Sequence, residues 1–126
     1  MTNDSSVEQV SPFACRMDAI EAGKRPQHVA TAGHLFSSAG EIKELSNGYA
    51  FRLPDGPEVL LKVAEFISLE RLCCPFFGFT LEVEREGGSA WLHLTGREGV
   101  KPFIRAEIGE FINEGDRFVK LDKSTD

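Results

Sequence analysis

Asn47-Gly48, set between Glu41-Ile42-Lys43-Glu44-Leu45 and Tyr49-Ala50-Phe51-Arg52-Leu53-Pro54, constrains this chain more than any other feature. An Asn-Gly pair between alternating stretches is a strong short-range hairpin signal, and the second stretch sends Tyr49, Phe51 and Leu53 to one side. The same grammar returns downstream. Phe79, Leu81 and Val83 alternate with Thr80, Glu82 and Glu84, the turn Arg85-Glu86-Gly87-Gly88-Ser89 follows, and Leu92 and Leu94 alternate with Trp91, His93 and Thr95. Two hairpins can join into one antiparallel four-stranded sheet.

Helical periodicity surrounds and separates the hairpins. Pro26 can open a helix whose apolar residues Val29, Ala32, Leu35, Phe36 and Ala39 follow the 3.6-residue repeat, with Gly40 near its end. Glu58 to Cys74 reads as a second helix, stopped by Pro75. A third opens near Glu98, carries Pro102 in its early turns, and places Val100, Ile104, Ile108 and Phe111 on one stripe before Gly115. The order helix, hairpin, helix, hairpin, helix predicts an α+β two-layer sandwich, with the helices on one face of the sheet.

At 126 residues this is one domain. Its polar ends place tails at residues 1–11 and 120–126, leaving an ordered domain over 12–119. The formal net charge of -6 and the scatter of the basic residues exclude a phosphate-backbone partner, so no nucleic acid is expected. No run approaches the roughly 18 apolar residues of a membrane span. The opening Met1-Thr2-Asn3-Asp4-Ser5-Ser6 lacks the features of a secretory signal. A cytoplasmic protein without membrane association is expected. Three cysteines, two of them adjacent, make a poor disulfide framework, so reduced thiols are the expected resting state.

Chemistry concentrates in Phe66-Ile67-Ser68-Leu69-Glu70-Arg71-Leu72-Cys73-Cys74-Pro75-Phe76-Phe77. At about 100° per residue, Val59, Leu60, Val63, Phe66 and Ile67 share one arc, and Glu70 lands in its middle. Burying an unpaired carboxylate costs several kcal/mol, so an inward Glu70 needs a partner, a proton or a metal. An ion pair to Arg16 or Arg25 is the plain structural answer. Cys73 and Cys74 project to either side of Glu70. Adjacent helical cysteines diverge, so they chelate one ion poorly unless Pro75 breaks the helix there. His28 faces the core on its wheel, whereas His34 points away and His93 shares a strand face with Trp91.

These donors admit three readings. Cys15, His28, Glu70, Cys73 and Cys74 are enough to bind a thiophilic ion such as zinc or copper(I), or a metalloid. No nucleotide cofactor is indicated. A thiol enzyme would use one cysteine as nucleophile and Glu70 as acid or base, but a helix C-terminus disfavours thiolate. A dimeric binding module without chemistry would rest on Phe76, Phe77, Phe79 and Trp91. The plain alternative is packing, with the cysteines as small hydrophobes and His28 bonded to a backbone carbonyl.

The stretches from Asn47 to Pro54, Ala64 to Phe79 and Trp91 to Lys101 resemble a family of small, uncharacterised bacterial proteins built around a Glu-x-x-Cys-Cys-Pro-Phe motif, here Glu70 to Phe76. Ala14-Cys15 and His28 also resemble positions of that family. The resemblance implies a bacterial cytosolic origin and heavy-metal or stress-response settings. It supports Cys15, His28, Glu70, Cys73 and Cys74 as one set.

Overall fold

A computed structural model of the chain describes residues 11–112. The expected tails over residues 1–11 and 120–126 fall, apart from Ser11, outside the described residues, as do 113–119 and Gly115. The order is α1 (Arg25–Ser37), β1 (Ile42–Leu45), β2 (Gly48–Arg52), α2 (Val59–Cys73), β3 (Gly78–Val83), β4 (Ala90–Thr95) and α3 (Val100–Gly109). Two short 3-10 turns, Met17–Ala19 and Ala22–Lys24, precede α1. All strands pair antiparallel in the order β1-β2-β4-β3, the open α+β sheet expected.

Register sets which side chains meet the helices. Tyr49 lies opposite Leu94, and Phe51 opposite Leu92; all four are fully buried on one face. Phe36 of α1 meets Phe51 edge-on at 5.1 Å and Phe66 of α2 at 5.4 Å, which locks both helices to that face. From α3, Arg105 donates to the Tyr49 hydroxyl and Lys101 pairs with Glu44. On the opposite face, Lys43 lies over the Trp91 ring at 4.4 Å and helps to bury it.

The first hairpin forms where expected, for a different reason. Its two-residue loop is Ser46-Asn47, since Leu45 pairs with Gly48, and neither Asn47 nor Gly48 has a positive φ. Gly48 is needed because a Cβ there would stand 1.9 Å from the Leu94 carbonyl oxygen on β4. The left-handed turn belongs to the second hairpin, at Glu86 (φ 60°) and Gly87 (φ 74°).

The apolar arcs are narrower than the wheels predict. Leu60 and Val29, at the rims of their arcs, are 37 % and 47 % exposed. Leu81 and Val83 are also exposed, because β3 is an edge strand beyond the cover of the helices. Phe76, Phe77 and Phe79 instead pack on one another, with Phe77 in the core and Phe76 and Phe79 half-buried against it, while Trp91 is buried on the opposite face. Among the described residues, no helix is long and apolar enough to cross a membrane.

Candidate metal centre

Pro75 shapes the site. It disfavours helical geometry in the residue before it, and Cys74, at φ -126° and ψ 73°, leaves the helix while its N–H still donates to the Glu70 carbonyl. That break removes the divergence of adjacent helical cysteines.

The third sulfur arrives from a distant segment. Arg16 donates its backbone N–H to the Cys73 carbonyl at 2.9 Å, tying the chain beside Cys15 to the last turn of α2. Phe13 anchors the same segment, edge-on to Phe76 at 5.1 Å, with the Arg97 guanidinium 4.0 Å above its ring. The Cys15 and Cys74 sulfurs consequently lie 3.7 Å apart, and the Cys73 thiol points at the Met17 sulfur 3.8 Å away. The sulfurs of Cys15, Cys73 and Cys74 all lie within 4.8 Å of one another, close enough to hold a metal ion. All three are free thiols. Cys73 and Cys74 are buried, whereas Cys15 is exposed and opens the cluster to solvent.

Glu70 and His28 stand beside this trio as a pair. Nε2–H of His28 donates to Glu70 Oε1 at 2.7 Å, with the two side chains only 4 % and 12 % exposed. The imidazole stacks on Phe66 at 5.4 Å. The inward carboxylate thus finds a partner in histidine, not arginine; Arg25 instead donates to the Ile20 carbonyl. Equally, His28 bonds a carboxylate instead of the backbone carbonyl of a plain core histidine. Its Nδ1 is buried and lacks a partner among the described residues. His34 is exposed, and His93 lies near Glu82 on the far face of the sheet.

Charge and burial keep the sulfurs as thiols. Burial, reinforced by the Glu70 carboxylate, raises both Cys73 and Cys74 above the ordinary thiol value. Burial, and then Glu107 of α3 against the thiol, push Cys15 up to about 12. Glu107 was not singled out in the sequence, although a signal existed: on the α3 wheel it falls beside Val100, on the stripe with Ile104 and Ile108. Met17 had no such signal, because only the strap between Phe13 and Ile20 brings it to the cluster. Beside the thiols lies a cavity of about 320 Å³, bordered by Cys15 and Cys73 but not by Cys74.

No family model, curated protein or solved structure matches this chain.

Proposed function

We infer that the chain binds a thiophilic metal or metalloid ion on Cys15, Cys73 and Cys74. The observation that carries this reading is the convergence of three free sulfurs, from two segments far apart in sequence, within 4.8 Å of one another. Two thiolates on a tetrahedral zinc at about 2.3 Å stand roughly 3.8 Å apart. The 3.7 Å between Cys15 and Cys74 is already that separation. Soft ions select such donors. Glu70, whose charge acts on both buried thiols, is a further donor for an ion that takes a fourth, and His28 orients it.

Binding is favoured over nucleophilic catalysis by the state of the thiols. A thiol nucleophile needs a depressed pKa, and all three are raised, two of them at the C-terminal end of a helix. An ion reverses that penalty by stabilising the thiolates directly.

The test is element-resolved metal analysis with free-thiol titration on protein purified anaerobically without an affinity tag. Zinc, copper(I), mercury(II) and arsenite are then added to wild type and to Cys15→Ser, Cys73→Ser and Cys74→Ser. One ion per chain, with three thiols protected in wild type and affinity lost in each variant, supports the reading. No ion at purification and none taken up on addition would sink it.

A further inference from the structure

The cavity of about 320 Å³ beside the thiols is far larger than an ion needs. Roughly 150 Å³ of apolar cavity accommodates a benzene ring. Phe66, Ile108, Phe111, Val29 and Ala32 supply an apolar wall, and the carboxylates of Glu70 and Glu107 also border the space. Those carboxylates repel oxyanions while admitting neutral molecules. Two of the three cluster sulfurs, Cys15 and Cys73, border the cavity, whereas Cys74 lies outside it. The space therefore suits a ligand with two bonds to give to sulfur and one apolar substituent.

Resting on the three-thiol reading, we propose that the site takes a mono-organo trivalent metalloid, an organoarsonous species whose arsenic bonds Cys15 and Cys73 and whose organic group fills the cavity. The step is a condensation without redox change. R–As(OH)2 and two thiols give R–As(S-Cys)2 and two waters: two As–S bonds form, two As–O and two S–H bonds break, and each thiol proton leaves on a hydroxide as water. Arsenic remains trivalent throughout. A bare ion would leave the apolar space unfilled, and a linear organomercury cation would use one of the two bordering sulfurs.

The experiment compares phenylarsine oxide with methylarsine oxide on the reduced full chain, by competition against dithiothreitol so that intrinsic thiol affinity cancels. Both probes give two bonds to sulfur and differ in the substituent alone. Burial of the ring predicts a phenyl preference of at least about tenfold in wild type. Val29→Trp, at a position 47 % exposed and hence tolerant of change, should fill the cavity and erase that preference. Equal normalised affinities in wild type, or a phenyl preference that survives Val29→Trp, would overturn the proposal. Uptake of zinc or arsenite with no uptake of either organic probe would overturn it while sparing the three-thiol reading. Failure of every probe would remove both.

Discussion

Replacing His28 and Glu70 separately and together tests whether this pair is a coupled unit of the site. His28→Leu keeps the volume and removes the donor, leaving the Glu70 carboxylate 12 % exposed with its 2.7 Å bond gone. A hydrogen bond to a charged group contributes about 1.5–3 kcal/mol, and stranding a buried charge costs more. Residual solvent access at Glu70 discounts the upper end, so His28→Leu should lose about 2–3 kcal/mol. Glu70→Leu strands the His28 N–H instead, at about 1–3 kcal/mol. The double variant replaces a polar pair by two aliphatic chains beside Phe66 and should lose less than the sum, with a coupling of at least about 1.5 kcal/mol. Equilibrium urea unfolding of the four proteins, with reductant and chelator near neutral pH, measures this. Additivity to within about 0.5 kcal/mol would refute the pairing as an energetic unit.

Four further outcomes follow from the same geometry. Iodoacetamide should modify the thiols far more slowly than a free cysteine at pH 8. Stability should fall as pH rises from the ordinary thiol value of 9.0 toward about 12, because the folded state holds the Cys15 proton more tightly than the unfolded chain does; urea midpoints of wild type and Cys15→Ser across that window check the sign. Arg16→Pro removes the N–H that reaches the Cys73 carbonyl, and arsenite affinity should drop at least about tenfold while far-ultraviolet circular dichroism stays near wild type. Gly48→Ala drives a Cβ against the Leu94 oxygen, and thermal unfolding should report a loss of about 3 kcal/mol or more.

Periodicity carried much of the fold into the sequence. The stripe Val59, Val63 and Phe66, and the alternation of Tyr49 with Phe51 and of Leu92 with Leu94, are local patterns, and each is buried as such patterns require. The Asn-Gly signal found the right hairpin although Gly48 answers a contact with β4, which no local rule encodes. Leu60, Val29 and Leu81 escaped because a wheel or an alternation states a direction, while burial depends on whether another element lies in that direction. Glu70 was legible as an anomaly, but its partner was not, since ion-pair preference points to arginine and tertiary packing supplied His28.

The role of Cys15 was the least legible part, and it shows how the centre is assembled. Cys73 and Cys74 come from one helix end and a proline break, a local device that sequence can encode and reveal. Cys15 depends on one backbone hydrogen bond and on Phe13 wedged among Phe76, Phe103 and Arg97, contacts spanning most of the chain. Two sulfurs are thus held in the core, and the third is delivered by a strap with little secondary structure of its own. An ion satisfied by Cys73 and Cys74 alone gains nothing from that strap. An ion that needs three must fix it, so binding should order the segment from Phe13 to Met17, and amide exchange at Arg16 should slow on adding arsenite to wild type but not to Cys15→Ser. Unchanged exchange at Arg16 on saturation would show that the strap is already as fixed as the core, or that Cys15 stands outside the ligand set.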